Sequence, residues 1–425
     1  MKSWVPSDVP LRLRRIAFCI SVYLLFTHAW IWVLTTPLAL AGRADFRQFY
    51  AAGAMVRARE ARKLYDYKTQ KEFQDHLVSP QPTALPFVSP ASHALLFDPL
   101  SLTSYKYAYF AFLALNVATL AVIFVVLRKS MQNLQAIYSW LPVAMFVSFM
   151  PILMALIQGQ DSILLTALMA GSFVLLSRDR NVLGGVLLGL GLFKFQITLP
   201  IALLFLIWRR WRFLLGFSAS AVVLVCLSVF LAGAAQTKLY VLSLMAIAGL
   251  SQPPSDLARY PITLGQMANL RGLLYGVGGG WMSATQLHLA AILVSAAVLT
   301  WTALRGFVIK PSSLLLLLAI PCAVLVGHHT YVHDLSVLIV PVLVVLNTFL
   351  PSELYGDSSE RLISRVAVVM FVAPVVEAFS ASNFFLITLA VVGLLLAMGA
   401  ASTRRSFGAP ESAADEPVIF AHDAG

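Results

Sequence analysis

Charge is scarce in this chain. Only 12% of its 425 residues are Asp, Glu, Lys or Arg, where a soluble domain carries about a quarter. That excludes an ordinary soluble globular protein. The 59% hydrophobic content and the mean hydropathy of +0.83 point to an integral membrane protein. Cysteine is nearly absent as well. Cys19, Cys226 and Cys322 are odd in number and each lies in an apolar run. A disulfide framework and a cysteine zinc site are therefore excluded, and three small buried hydrophobes are expected. Strands of alternating apolar and polar residues are missing, which argues against a transmembrane barrel. The glycine-rich GVGGG at 276–280 lacks the Lys-Ser/Thr of a phosphate-binding loop, so it reads as a lid or linker.

What the chain does have is long apolar runs. At about 20 residues per helical span there is room for roughly ten to twelve helices. Twelve runs can be drawn, from Ile16 to Thr36 at one end to Phe384 to Ala401 at the other. The first follows Arg12, Arg14 and Arg15 and ends near Ala39-Leu40-Ala41, a small-residue pattern like a signal cleavage site. It is longer than the usual h-region, so an uncleaved anchor helix is expected. Arg128 and Lys129, Arg178 and Arg180, Arg209, Arg210 and Arg212, Arg305 and Lys310, Arg361 and Arg365, and Arg404 and Arg405 then fall on the side of the N-terminus. The opposite short connections are almost free of cations. This alternation predicts both termini in the cytoplasm of a multi-pass protein of the cell (inner or plasma) membrane. The basic net charge of +11 reads as topology and anionic-lipid contact, with no nucleic acid as partner.

The expected organisation is a single integral-membrane domain over residues 1–401. Extracytoplasmic segments occupy 37–104 and 234–283, and a polar, disordered cytoplasmic tail occupies 402–425. Within the first segment, Phe46 to Lys63 has the aromatic and basic spacing of a helix lying in the membrane interface. Val182 to Trp208 is two short apolar pieces flanking Lys194 and Gln196. They read as thin spans or as a broken pair lining a cavity. Gly185 and Gly189 have the spacing of close helix packing. His28 and Glu377 lie within apolar runs, where packing against partner helices accounts for them.

Polar groups are costly beside lipid, so their distribution is informative. Away from the topology-setting arginines they gather on the extracytoplasmic side: Asp45, Arg47, Tyr50, Tyr65, Asp66, His93, Asp98, Gln158, Gln160, Asp161, Lys194, Gln196, Arg259, Asn269, Arg271, His328, His329, His333 and Asp334. One cavity lined from several loops is the economical explanation. Asp45, in GRADFRQFYAAG just after the first run, reads either as a helix cap or as a general base for an acceptor hydroxyl. Lys194 either snorkels to the interface or neutralises a lipid phosphate. Arg271, in NLRGLL, has the same two readings, with a guanidinium fork suited to phosphate. GHHTYVHD has a metal-like composition, but no HExxH glutamate accompanies it and no metal is expected. Hydrogen bonding to sugar or phosphate and helix capping are the remaining readings of its histidines.

The ordered motifs ADFRQFYAAG, LYDYKTQ, LFDPL, QGQDSILLTALMAG, GGVLLGLGLFKFQITLPIALLFLIWRRW, NLRGLL and HHTYVHDLSVLIVPVL together resemble glycosyltransferase family 87. These are polytopic glycosyltransferases of the GT-C superfamily, and they include polyprenyl-phosphate-mannose-dependent α-mannosyltransferases. The resemblance implies an all-α GT-C fold of about twelve transmembrane helices, with interfacial helices in its first extracytoplasmic loop. It also implies an outward-facing site that moves a sugar, by family weighting mannose, from a polyprenyl-phosphate donor to a lipid or glycan acceptor with inversion. By motif position it makes Asp45 the base. Lys194, Arg271, His328, His329 and His333 become donor-phosphate groups, and Arg47, Tyr50, Gln160 and Gln196 become substrate contacts. No cofactor is implied, because a phosphate leaving group needs charge stabilisation more than a metal. Two departures stand out: Phe193-Lys194-Phe195-Gln196 where the family often reads FKPQ, and SPASHALLFDPL where it commonly carries a Tyr-Pro-Pro element. The alternatives are a transporter of a lipid-linked sugar, and a transferase of the same fold using another lipid-phosphate sugar such as arabinose.

Overall fold

The computed structural model describes residues 9–247, 264–351, 358–380 and 385–402. Arg259, most of the connection 380–383 and all but the first residue of the 402–425 tail lie outside the described residues. Among those described, the chain is entirely helical, with no strand. The helices are α1 (Leu11–Leu38), α2 (Phe46–Arg57), α3 (Tyr67–Leu77), α4 (Ala91–Ala94), α5 (Tyr105–Leu127) and α6 (Gln132–Ile137). Next come α7 (Leu141–Val147), α8 (Met150–Gln158), α9 (Ser162–Leu176), α10 (Asn181–Leu190), α11 (Phe195–Ile207) and α12 (Trp211–Ile247). The last six are α13 (Leu270–Gly278), α14 (Ala284–Gly306), α15 (Ser312–Val326), α16 (Ile339–Phe349), α17 (Ser358–Ser380) and α18 (Phe385–Ser402).

Among the described residues, six helical stretches are long and apolar enough to cross a bilayer, seven if α7 and α8, bent by 51° at their junction, form one span. Three further apolar helices, Ser162–Leu176, Ser312–Val326 and Leu386–Ala401, are shorter. The two apolar pieces around Lys194 join into one stretch, Asn181–Ile207, broken by a tight turn at Gly191–Lys194. Leading out of that turn, Lys194 leaves helical geometry at φ −114°, ψ 56°. The helix α12 continues past Gly233, at φ +83°, into residues read from the sequence as an outer segment.

The apolar core runs through α8, α9, α11, α15 and α16; α15 and α16 are buried along almost their whole length. α15 and α16 have no exposed apolar stripe because protein surrounds them. Cys322 is buried among them, whereas Cys19 and Cys226 are exposed on outward apolar faces, contrary to expectation. The expected glycine packing is present. A Cβ on Gly185 would lie 1.9 Å from the Phe213 carbonyl oxygen, and one on Gly216 the same distance from that of Val182. Only bare backbone lets α10 and α12 approach this closely.

The segment between α1 and α5 has a core of its own. Eight residues of α2 are buried, and the Phe46 ring packs with Tyr50, Phe97, Tyr105, Tyr109 and Phe112. Aromatic rings from Phe97, just after α4, and from α5 therefore cover α2. It is held inside the protein rather than laid on its surface.

Candidate active site

Asp45 lies between a widened helical turn, Ala39–Arg43, and the first residue of α2. It occupies the capping position, yet its side chain caps nothing. The carboxylate points away from its own helix instead. Its Oδ2 accepts a hydrogen bond from Gln160 Nε2 at 2.7 Å, and its backbone N–H donates to Gln158 Oε1 at 3.1 Å. Its Oδ1 accepts none from the described residues. The two glutamines flank Gly159, which is left-handed at φ +58° and lies against Phe46, where a Cβ would fall 2.6 Å from that of the phenylalanine. Glycine alone meets both demands without strain.

Behind Gln160 lies a buried charge cluster. Lys194 Nζ donates to Gln160 Oε1 at 3.0 Å and pairs with Asp161 Oδ1 at 3.0 Å and Asp334 Oδ1 at 2.9 Å. Asp334 also accepts from Ser162 Oγ at 3.0 Å and from the Tyr331 N–H at 3.1 Å. Asp161 Oδ2 meets His93 Nε2 at 2.8 Å, and the His93 ring stacks on Phe193 at 4.4 Å. His333 Nε2 stands 3.6 Å from Asp334. Burial by itself would push the Asp161 carboxyl up; the Lys194 ammonium and the His93 hydrogen bond hold it below the usual carboxylate range. An ammonium buried this deeply persists only with such partners. Three oxygens thus lie within 3.0 Å of its nitrogen.

A second polar group lies at the mouth of a cavity of about 360 Å³. Arg271 and His328 meet there, and the rest of the wall is largely apolar, from Ala291, Ile292, Ala296, Leu299, Leu325 and Val326, with His288 and Ser295 among them. Arg271 Nη1 donates to the His328 carbonyl at 3.3 Å, while His328 Nε2 has no hydrogen-bond partner among the described residues. Burial, then the nearby Arg271 charge, lowers His328 to about 4, and burial lowers His329 to about 3. Both rings are therefore neutral at physiological pH. Asn269 caps α13 through the Gly272 N–H at 2.8 Å and donates to the Gly327 carbonyl, while the Ala268 N–H donates to the Thr330 carbonyl at 2.9 Å. These bonds stitch NLRGLL to the histidine loop. The same loop reaches back to the base candidate. Burial first, and then the Asp45 charge, push the Tyr331 hydroxyl up to about 12.

The structure thus joins Asp45, Gln160, Lys194 and, through Asp334, His333. It joins Arg271 and His328 at the cavity, with His329 edge-on to Tyr331 at 4.7 Å between the two groups. Gln196 is buried beside them and makes no side-chain hydrogen bond. Arg47 and Tyr50 are not brought to this network. Arg47 donates to Gln74 Oε1 at 3.0 Å and to Asp75 Oδ1 at 2.8 Å, bracing the segment between α1 and α5. Tyr50 donates to the Thr103 carbonyl at 2.7 Å. Sequence reasoning placed His93, Asp161 and Asp334 on the polar side but assigned them no role. The available signal was electrostatic, since a lysine between apolar runs requires carboxylates near it. Among the described residues no His, Cys, Asp or Glu cluster could hold a metal ion.

The chain matches the sequence profile of glycosyltransferase family 87 over residues 87–327, more than half of its length. It belongs to glycosyltransferase family 87. The match carries His93, the QGQD turn, Lys194 and Arg271, whereas Asp45 and the histidines from His328 onward lie outside it. No curated protein and no solved structure matches the chain. Its family and its apolar helices make it a membrane glycosyltransferase.

Proposed function

We propose that this family 87 glycosyltransferase moves a sugar, mannose in the first instance, from a polyprenyl-phosphate donor to a lipid or glycan hydroxyl on the extracytoplasmic side, with inversion. Asp45 is the general base. The observation that carries this reading is the Asp45 carboxylate itself: it leaves its capping role, is tied by one oxygen to a rigid buried network, and keeps the other open. In the proposed step Asp45 takes the acceptor hydroxyl proton, and the acceptor oxygen forms a bond to the anomeric carbon. The bond from that carbon to the phosphate oxygen breaks, and its electron pair leaves on the phosphate. Arg271 and the unpartnered His328 Nε2 receive that phosphate, the guanidinium by charge and the neutral imidazole by hydrogen bonding. The apolar cavity wall suits the first isoprene units. Lys194, His329 and His333 contribute the field around the leaving group. In this reading the short apolar helices complete a GT-C bundle of about twelve crossings, with both termini cytoplasmic.

The test is turnover of polyprenyl-phosphate mannose by purified protein in detergent, where transport is impossible. Release of polyprenyl phosphate with a glycosylated product is expected. Asp45→Asn and Asp45→Ala are expected to lower kcat about 100- to 10,000-fold, the range of a lost general base. Near-normal turnover by both variants would refute the assignment of the base. Absence of any product from a family of donor sugars would favour a transporter.

A further inference from the structure

Gln160 was expected to touch substrate. Its surroundings point to a different role. A glutamine amide has one end that only accepts and one that only donates. Lys194 Nζ donates only, so the end 3.0 Å from it must be Oε1. The amide nitrogen is therefore forced to face Asp45, where it lies 2.7 Å from Oδ2. This orientation follows from the chemistry of the neighbours and needs no choice between O and N. The backbone on which Gln160 sits is fixed as well: its N–H donates to the Ala155 carbonyl at 2.8 Å, and its carbonyl accepts from Asn116 Nδ2 at 3.4 Å. Gln160 is itself buried, at 4% exposure, which leaves little of it to meet a substrate. On the other side of Gly159, Gln158 holds the Asp45 backbone N–H.

We propose that the Gln158-Gly159-Gln160 turn is a clamp on the catalytic carboxylate, in which Gln160 is a positioning residue that carries the constraint of the Lys194–Asp161–Asp334 cluster to Asp45. The clamp commits Oδ2 and leaves Oδ1 to receive the acceptor proton. It selects one rotamer of Asp45 before any substrate arrives, which is how a fixed base keeps its rate advantage. It also gives the neutralised Lys194 a purpose without contact to the donor. The ammonium orients the amide, and the amide orients the base. This inference rests on Asp45 being the base.

Two variants separate the clamp from a substrate contact. Gln160→Glu keeps the acceptor for Lys194, so the buried cluster retains its partner, but when ionised it has no hydrogen to give Asp45. Gln160→Ala removes both contacts. For each we expect kcat to fall roughly 10- to 100-fold, as for loss of a hydrogen bond to a charged group, with donor and acceptor KM within about twofold. Elevated KM with kcat unchanged would make Gln160 a substrate contact and overturn the clamp. Unaltered kcat in Gln160→Glu, alongside an inactive Asp45→Asn, would refute the clamp alone. Full turnover by Asp45→Asn would refute the base, and the clamp with it.

Discussion

Lys194 shows how one side chain can be read correctly in place and differently in role. Its position between two short apolar pieces marks it as unusual, and the structure surrounds it with Gln160, Asp161 and Asp334. Two carboxylates around one ammonium make its removal more costly than removal of either acid. Lys194→Met leaves two buried carboxylates facing each other, and we expect a loss of about 3–5 kcal/mol, the range for breaking a buried pair. Asp161→Asn leaves the Lys194–Asp334 pair intact and should cost less. Thermal unfolding in detergent ranks the two, and a milder Lys194→Met would contradict the pairing. Asp45 teaches the complementary lesson. Its place at the start of a helix is legible as a cap from composition alone, and the cap is not made, because Gln160 from 115 positions away takes the carboxylate. No local pattern contains that partner.

Among elements, the close packing of α10 was the most legible, although its partner α12 was not. Gly185 and Gly189 have the small-residue spacing of helices whose backbones touch. At the contact, a Cβ on Gly185 would sit 1.9 Å from a main-chain oxygen that cannot move aside. Gly185→Ala should therefore cost at least 1–3 kcal/mol, roughly the overpacking range, and lower the melting temperature in detergent. An unchanged melting temperature would show that the helices slide apart at no cost. The QGQD turn and the HHTYVHD loop were legible as polar but not as partners. Each is short, and what makes them a site is that Asp161 and Asp334 approach Lys194 from two different connecting segments. The helix α2 was read as lying at the membrane surface. Its aromatic residues, which look amphipathic in the sequence, serve instead to fill a core against α5.

At the scale of the whole molecule, the histidine loop ties α13, α15 and the charge cluster together, so its protonation state bears on overall stability. His328 and His329 have folded values of about 4 and about 3, below the ordinary 6.5. The unfolded chain thus binds protons more readily, and stability rises with pH across that interval. The contribution is complete above about 6.5 and is lost as pH falls toward 4. Asp161, held below the usual carboxylate range, adds a loss only at more acid pH. We expect the melting temperature to decline between pH 6.5 and 4, and His328→Gln with His329→Gln to flatten that decline. An equally steep decline in the double variant would assign the acid sensitivity elsewhere. By itself the sequence determined the membrane class, the helical fold and the list of polar residues set among apolar runs. Each of these follows from composition and local periodicity, which act within a few residues along the chain. Only the tertiary structure decided which polar residues meet, that Asp45 turns from its own helix toward Gln160, and that Arg47 braces the segment between α1 and α5. Those outcomes depend on contacts between segments from tens to more than a hundred residues apart, where burial forces each charged or polar group to find a partner that no local pattern names.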